Sequence, residues 1–180
     1  MRVYKENTIA VVIDMQEKLL PHMHESEKVK NNCITLVKGL KALNIPIVVT
    51  QQYTKGLGPT VTDMNEAIGN FSYIEKSTFS CYRETDFIKV LNKSGKRNVI
   101  IMGIEAHVCV LQTTLDLLYN NFNPIVVTNA ISSRNPEDKQ VALWRMRDIG
   151  SIMTTYESIL FELCKKAGTE EFKAISKLVK

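Results

Sequence analysis

The chain has 180 residues, of which 44% are hydrophobic and 23% charged, the proportions of an ordinary globular protein. Its formal net charge of +4 comes from basic residues scattered along the sequence, which argues against a surface for nucleic acids. No apolar run approaches the roughly 18 residues that a membrane span requires, so we expect neither a nucleic-acid partner nor a membrane partner.

Six short apolar runs alternate with helical patterns. The first, residues 8–13, is apolar almost throughout, as expected for a strand buried on both faces. The others cover residues 46–50, 71–75, 98–102, 124–128 and 151–154. Strands separated by helices are typical of a parallel sheet with helices on both sides. We therefore predict one α/β domain over residues 1–180, with three α/β/α layers and a doubly wound, Rossmann-like sheet of six mostly parallel strands.

Helical periodicity fills the segments between these strands. Apolar residues share one face over residues 29–43 and 85–92, and a third stripe runs from Val108 to Phe122. Three helix starts are predicted from capping signals: Asn135 before a proline, Thr154 with Glu157 as a capping box, and Thr169 before two glutamates.

Residues 51–69 are predicted to form one long loop after the second strand. Loops of this length inside a compact domain are commonly functional. Because the loop follows a strand, we expect it at the carboxyl edge of the sheet, where open α/β sheets bind ligands.

Asp14, Lys76 and Cys109 each follow a predicted strand. Asp14 could cap a turn or serve a site, and Lys76 could simply be solvated. Cys109 lies in the first turn of a predicted helix, where the helix dipole favours a thiolate, although a free cysteine there could equally pack as a small hydrophobe. Since the carboxyl ends of parallel strands meet at one edge, the three side chains can converge on one crevice.

Five segments, taken in order, resemble the isochorismatase-like cysteine hydrolase superfamily over nearly the whole chain. They are residues 10–16 (AVVIDMQ), 75–80 (EKSTFS), 103–110 (GIEAHVCV), 129–134 (NAISSR) and 154–157 (TTYE). The resemblance implies that Asp14, Lys76 and Cys109 form a catalytic triad. It also implies a cis peptide between Ile104 and Glu105, and an oxyanion hole made by the N–H groups of Glu105 and Cys109.

The implied chemistry is nucleophilic catalysis by a thiol. Asp14 would accept the proton of Cys109 while sulfur attacks an amide carbonyl, Lys76 would lower the energy of the thiolate, and water would release a thioester. True isochorismatases lack this cysteine, so its presence argues against their reaction. Residues 55–58 (KGLG) resemble the isochorismatase-domain-containing branch of the superfamily. We predict a cysteine hydrolase that cleaves a small amide or related C–N bond; the alternative is a catalytically silent binding or scaffold protein.

No metal site is predicted. Nicotinamidases of the superfamily carry metal ligands after the second strand, where this chain has Gln52 and Thr54, and neither suits a divalent transition metal. The three histidines, His22, His24 and His107, do not rebuild such a site. We therefore expect neither a metal nor another cofactor.

The predicted partners are a small-molecule substrate and further copies of the chain. The side chains expected to contact the substrate lie near the triad in sequence: Gln16, Leu19, Gln52, Phe79 and Tyr82. Relatives form homo-oligomers, and Phe161, Phe172 and Leu178 suggest an exposed apolar face on the C-terminal helices for such an assembly.

Cysteine usage and the N-terminal residues indicate the compartment. The four cysteines, at positions 33, 81, 109 and 164, form no C-x-x-C motif and are expected to be reduced thiols. Cys81 could approach Cys109 in a redox role or be structural. Residues 1–7 do not resemble a signal peptide, so we expect a cytoplasmic protein.

Overall fold

The computed structural model describes all 180 residues and contains one six-stranded sheet. Its strands are β1 (Thr8–Ile13), β2 (Ile47–Gln52), β3 (Tyr73–Lys76), β4 (Asn98–Ile104), β5 (Asn123–Ser132) and β6 (Ile152–Thr154). The spatial order is β3-β2-β1-β4-β5-β6, and every neighbouring pair is parallel. The structure confirms the predicted three-layer, doubly wound fold, and the sheet is wholly parallel.

Eight helices connect or follow the strands: α1 (Ser26–Ala42), α2 (Thr54–Leu57), α3 (Thr62–Ile68), α4 (Thr85–Ser94), α5 (Leu111–Tyr119), α6 (Pro136–Asp148), α7 (Tyr156–Cys164) and α8 (Glu170–Leu178). A π-helical turn, Ala106–Val110, joins β4 to α5. No helix combines the length and the apolar character that crossing a membrane would need.

Two apolar cores cover the two faces of the sheet. Side chains alternate along a strand, so Ile9 and Ile13 of β1 enter one core while Ala10 and Val12 enter the other. The larger core is shared with α1, α3, α7 and α8, and the smaller with α4, α5 and α6. Because β1 is buried on both faces, the residue that follows it emerges from the interior of the sheet.

One predicted helix start is displaced by a residue. The cap of α7 is Thr155, whose side chain accepts a hydrogen bond from the Ser158 N–H, so the predicted capping box of Thr154 and Glu157 is wrong. Thr154 still pairs with Val127 in the sheet, and its extended backbone leaves the capping position to the next residue. Asn135 and Thr169 cap α6 and α8 as predicted.

Residues 51–69 are not the long loop that the sequence predicts. Strand β2 continues to Gln52, and the segment then forms the short helices α2 and α3. Met64 and Ile68 of α3 are buried in the larger core, and this apolar contact folds the segment down onto α1.

The apolar residues predicted to form an exposed face on the C-terminal helices are only partly exposed. The rings of Phe161 and Phe172 lie 6.1 Å apart and both pack against the larger core, and Leu178 is only partly exposed. These apolar residues hold α7 and α8 to the rest of the chain.

Gly103 permits the close approach of β4 to β1 at the carboxyl edge. Its φ angle is +118°, and a Cβ atom at this position would lie 2.0 Å from the carbonyl oxygen of Ile13. Only glycine fits such a contact without moving a strand. The residue after Ile13 is Asp14, so Gly103 helps to set the floor of the candidate site.

Candidate active site

Three strand ends bring Asp14, Lys76 and Cys109 together. Asp14 follows β1, Lys76 is the last residue of β3, and Cys109 lies in the π-helical turn after β4. The Lys76 Nζ atom is 2.6 Å from Asp14 Oδ2 and 3.5 Å from Cys109 Sγ. The long side chain of Lys76 reaches across β2, which separates its strand from β1. The ammonium group therefore contacts both of the other side chains of the predicted triad.

Of the two oxygens of the Asp14 carboxylate, Oδ1 is held by a hydrogen bond and Oδ2 can accept a proton. Thr50 Oγ1 donates a hydrogen bond of 2.8 Å to Oδ1. The Oδ2 atom is buried and has no hydrogen-bond donor apart from its ion-pair contact with Lys76. Asp14 has a left-handed backbone, with φ of 51°, which aspartate tolerates better than most residues. This leaves Oδ2 as an acceptor for the proton of a neighbouring thiol.

The Lys76 ammonium is fully buried and fully surrounded by acceptors. It donates to Gln52 Oε1 and to the carbonyl oxygens of Thr78 and Phe79, both at 3.3 Å. Glu84 fixes the loop that carries these carbonyls by accepting from the Thr78 N–H and hydroxyl. Burial alone would lower the pKa of Lys76, but the nearby Asp14 carboxylate and Cys109 more than offset it, and the pKa lies above its ordinary value.

Burial raises the pKa of the Cys109 thiol to about 12, the Asp14 carboxylate adds to this rise, and Lys76 opposes it. Burial likewise raises the pKa of Asp14 above its ordinary value, again against the effect of Lys76. The helix start favours a thiolate, whereas burial and the Asp14 carboxylate favour the protonated thiol in the free site. Helix position was visible in the sequence, but the burial of Cys109 and its contact with a carboxylate were not. Activation of this thiol requires transfer of its proton to Asp14 as sulfur attacks.

Alkylation of Cys109 by iodoacetamide is expected to accelerate about tenfold per pH unit between about pH 7 and pH 10, without a plateau, because the thiolate fraction rises tenfold per unit below the pKa. Asp14→Asn removes the charge that raises this pKa and leaves Lys76, so alkylation at a given pH should become faster. The rate is followed by the mass of the peptide that contains Cys109. Asp86→Asn on α4 is the matched control and should leave the profile unchanged. A plateau near neutral pH would contradict the assigned thiol pKa.

The carboxylate and the carbonyl oxygen of Glu105 both make contacts, whereas its N–H group donates no backbone hydrogen bond. The peptide between Ile104 and Glu105 is cis, as the resemblance implied. The Glu105 carboxylate lies 3.0 Å from the Arg134 Nε atom, and its carbonyl oxygen accepts from the N–H groups of Val108 and Val110. The Glu105 N–H donates to no backbone carbonyl. A fixed but unused donor near the nucleophile is the property that an oxyanion hole needs.

Several of these contacts were not foreseen from the sequence. From the sequence, Thr50 was predicted only to lie in a strand. Its position near a strand end could have indicated a contact with Asp14, which follows the neighbouring strand. His107 and Ser133 were also passed over: the His107 Nδ1 atom lies 2.9 Å from Ser133 Oγ, which ties the π-helical turn to the end of β5. The Arg134 contact joins residues 29 positions apart and had no local signal.

Gln16, predicted to contact the substrate, has its amide group engaged within the fold. Its Nε2 atom donates to the carbonyl oxygens of Gln52, at 3.0 Å, and Gly58, at 2.7 Å. Its Oε1 atom accepts from the Gln52 N–H at 2.8 Å. Gln16 is completely buried and holds the segment after β2 against the end of β1, so we correct its role to a structural one.

The other predicted contact residues divide into two groups. Leu19 packs against the larger core, and the Tyr82 ring packs edge-to-face on Phe122 with a centroid distance of 5.9 Å, so both are engaged in packing. Gln52 and Phe79 lie beside Lys76, since the Gln52 Oε1 atom and the Phe79 carbonyl oxygen each accept a hydrogen bond from its ammonium group. The Phe79 side chain is 53% exposed. Gln52 and Phe79 remain the predicted substrate contacts.

The largest cavity, of about 400 Å³, lies away from the triad. It opens beside the start of α1, where Lys30 pairs at 2.9 Å with both Glu27 and Asp63. None of the four surface cavities includes Asp14, Lys76 or Cys109. We locate the site by its chemistry and not by cavity size, because a buried ion pair beside a thiol is the rarer feature.

The positions equivalent to a nicotinamidase metal site are occupied by hydrogen-bonded side chains. Gln52 accepts from Lys76, and the Thr54 hydroxyl lies within hydrogen-bonding distance of Gln51 Oε1 and Glu75 Oε2. The structure holds no group of three His, Cys, Asp or Glu side chains placed to bind a metal ion.

All four cysteines are free. The Cys81 Sγ atom lies 3.8 Å from Thr50 Oγ1, and the Cys81 N–H donates to Thr113 Oγ1 at 2.9 Å. Burial raises the pKa of the Cys81 thiol to about 11, so this group is protonated and poorly reactive. These contacts give Cys81 a structural part in holding the wall of the site.

The sequence and the fold match known proteins over almost the whole chain. The family model described as Isochorismatase domain matches residues 8–158. Isochorismatase family protein 1B of Dictyostelium discoideum is 35% identical, over 99% of this chain and 89% of that protein. The secreted isochorismatase effector Isc1 of Phytophthora sojae is 37% identical, over 99% of this chain and 87% of that protein.

Three solved structures superpose closely on this fold. A MAR1 ribonuclease from Caenorhabditis elegans has a TM-score of 0.93 and 37% identity, covering 99% of this chain and 92% of that one. YcaC from Pseudomonas aeruginosa, solved with hexane-2,5-diol and covalent acrylamide, has a TM-score of 0.91 and 28% identity, covering 98% and 91%. YcaC from Escherichia coli, described as an octameric hydrolase of unknown specificity, has a TM-score of 0.93 and 26% identity, covering 99% and 89%.

Proposed function

The chain belongs to the isochorismatase family, and from this membership we propose that its single domain is a metal-independent cysteine hydrolase for a small amide or related C–N bond. The observation that carries the proposal is the contact of one buried ammonium, Lys76, with both the Asp14 carboxylate and the Cys109 sulfur. A buried ion pair costs desolvation free energy and is a weak source of stability. Such a pair beside a thiol is therefore best explained by chemistry.

The first half of the reaction forms a thioester. Asp14 Oδ2 accepts the Cys109 proton as sulfur bonds to the carbonyl carbon, and the electron pair of the C=O double bond moves onto oxygen. The N–H groups of Glu105 and Cys109 stabilise that oxyanion. When the C=O bond reforms, the C–N bond breaks, and the protonated Asp14 gives its proton to the departing amine.

The second half regenerates the enzyme. Asp14 accepts a proton from water as the water oxygen attacks the thioester carbonyl, and the acid leaves as the C–S bond breaks. Cys109 recovers its proton from Asp14. Throughout, Lys76 keeps its own proton, holds Asp14 in place and offsets the negative charge that forms on sulfur.

Two alternatives to the proposed hydrolase are a catalytically silent scaffold protein and a ribonuclease. A catalytically silent scaffold of the same fold has no need for the buried contacts among Asp14, Lys76 and Cys109, which favours the enzyme. A ribonuclease function is suggested only by the names of some relatives, among them the Caenorhabditis elegans protein. RNA therefore belongs among the compounds to be assayed, although the basic residues here are dispersed.

We further propose a cytoplasmic, homo-oligomeric protein. Four free thiols suit a reducing compartment, while the Phytophthora sojae relative is named a secreted effector. The Escherichia coli relative is described as an octamer, which supports assembly of this chain with copies of itself.

The proposal is tested by incubating the protein with small amides, including acrylamide, and with hydroxamates, imides and RNA, and by rapid acid quenching before mass spectrometry. We expect at least one amide to leave its acyl group on the peptide that contains Cys109, with loss of its amine, and to be hydrolysed. Cys164→Ala is the matched control and should acylate normally. Hydrolysis without this adduct, cleavage of RNA alone, or no turnover of any compound would overturn the proposal.

A further inference from the structure

Two side chains that follow β5 hold the turn that carries the proposed nucleophile, and the proposed reaction uses neither of them. Ser133 Oγ lies 2.9 Å from the His107 Nδ1 atom. The Arg134 Nε atom lies 3.0 Å from Glu105 Oε2. Glu105 directly precedes the π-helical turn and His107 lies within it. Two consecutive residues after β5 therefore contact the start of the turn at two points.

The end of β5 is itself fixed within the fold. Ser132 pairs with Ile104 in the sheet, and its hydroxyl donates to the His24 carbonyl oxygen at 2.7 Å. The His24 N–H donates in turn to the Ser133 carbonyl oxygen at 2.9 Å. Ser132 and Ser133 are both buried. Contacts made from this segment therefore hold the turn against the sheet.

The ion pair of Glu105 and Arg134 is unevenly buried. The Glu105 side chain is only 11% exposed, whereas that of Arg134 is 64% exposed. Arg134 is the one side chain that donates to the Glu105 carboxylate. Glu105 occupies the N-cap position of the π-helical turn, yet its carboxylate makes no capping hydrogen bond. The contact with Arg134 therefore determines the direction in which this buried carboxylate points.

We propose that Arg134, assisted by Ser133, is a positioning residue for the oxyanion hole. The carbonyl oxygen of Glu105 is already held within the turn, and Arg134 holds its side chain, so that the N–H group of the same residue keeps one direction. An oxyanion donor is effective when it is fixed before the reaction, and a displacement of about 1 Å can cost about 100-fold in rate. The inference rests on the proposed function, because this N–H group is used only when Cys109 attacks a carbonyl carbon.

Two reagents that react with the same sulfur separate oxyanion stabilisation from other effects. With p-nitrophenyl acetate, the Cys109 sulfur bonds to the carbonyl carbon and an oxyanion forms; as the C=O bond reforms, the C–O bond breaks and p-nitrophenolate leaves with its electron pair. With iodoacetamide, sulfur bonds to the CH₂ carbon as iodide leaves, and no oxyanion forms. In both reactions the thiol first gives its proton to Asp14 or to solvent, so a changed thiol pKa cancels in the ratio of the two rates.

Arg134→Met should lower the ratio of acylation to alkylation by about tenfold while the alkylation rate changes by less than about twofold. Both reagents are uncharged, so the loss cannot come from binding of the reagent by the guanidinium group. Arg134→Lys restores a cation beside Glu105 and should recover most of the ratio. Ser133→Ala should lower the ratio by only about threefold, because the contact of Arg134 remains. Both rates are followed by the mass of the peptide that contains Cys109.

Arg147→Met is the matched control. The Arg147 Nε atom lies 3.0 Å from Asp148 Oδ1 and its side chain is 61% exposed, so this variant removes a similar arginine contact. It lies near the end of α6, which leads to β6 at the opposite edge of the sheet, and the ratio should stay as in the natural chain. Urea denaturation should show every variant to be folded under the assay conditions, because an unfolded chain has no oxyanion hole.

A ratio that Arg134→Met leaves unchanged, or that Arg134→Lys does not restore, would overturn the positioning role. Turnover of amides by the natural chain is measured separately, so that result would leave the proposed function standing. Glutathione provides the ratio of a simple thiol without an oxyanion hole. A ratio for the natural chain no higher than that of glutathione would overturn the oxyanion hole and this inference together.

Discussion

Replacing Cys109 with alanine is expected to reduce the turnover of an amide substrate by a factor on the order of 10⁵, because removing the nucleophile of a covalent mechanism removes the pathway itself. Cys109→Ser should recover little of this loss. A serine hydroxyl is far harder to deprotonate than a thiol, and the Asp14 carboxylate that must accept its proton is a weak base. The measurement is turnover by purified protein under saturating substrate, together with the mass of any acyl adduct.

Both variants should remain folded, since Cys109 is a small side chain at the edge of the smaller core and its truncation costs about 1 kcal/mol. Cys33→Ala serves as a control for loss of a buried thiol, because Cys33 lies in the larger core on the other face of the sheet and takes no part in the proposed bond changes. Turnover by Cys109→Ala within tenfold of the natural protein would show that sulfur is not the nucleophile, whatever the fold of the family.

The fold and the convergence of Asp14, Lys76 and Cys109 could be predicted from simple periodic signals, whereas their role as a catalytic triad was implied by the family resemblance and stays a prediction. Apolar runs separated by helical patterns define a parallel sheet, and the carboxyl ends of its strands share one edge. Asp14, Lys76 and Cys109 each follow such a run, so their convergence required no knowledge of detailed packing. Asn135 and Thr169 were also local signals, and the structure places each as a helix cap.

What could not be predicted depends on contacts between distant parts of the chain. Gln16 looked like a free polar side chain near the site, but its amide group is fully hydrogen-bonded to backbone groups of residues about 40 positions later in the chain. The pKa of Cys109 depends on burial and on the proximity of Asp14, neither of which appears in residues 103–110. Phe161 and Phe172 looked exposed in the sequence, and only the packing of their two helices against each other and the core makes them partly buried.

Lys76→Met is expected to destabilise the protein by about 3–5 kcal/mol, because it leaves the fully buried Asp14 carboxylate without its counterion. Asp14→Asn should cost less, since Gln52 and two carbonyl oxygens still accept from the ammonium. The variant with both changes removes the two charges together, so its loss of stability should be smaller than the sum of the single losses by about 2 kcal/mol. Urea denaturation of the four proteins gives this coupling free energy.

The surface pair of Lys89 and Asp86 provides the control cycle, because its atoms are 2.9 Å apart but both side chains are about 70% exposed. Its coupling should not exceed about 0.5 kcal/mol. A triad coupling as small as this would mean that the buried contact between Lys76 and Asp14 is not an ion pair in solution.

The same variants distinguish what Asp14 and Lys76 contribute to stability from what they contribute to catalysis. Asp14→Asn with Lys76→Met should be inactive even where its stability approaches that of the natural protein, because the proton acceptor of the mechanism is gone. Asp14→Asn alone should alkylate faster and turn over more slowly. Unfolding would also expose the thiol and stop turnover, so both rates are compared under conditions in which urea denaturation shows the variant to be folded. A stable but inactive double variant would mean that the chain keeps two buried charges at a cost to its folding free energy because the reaction requires them.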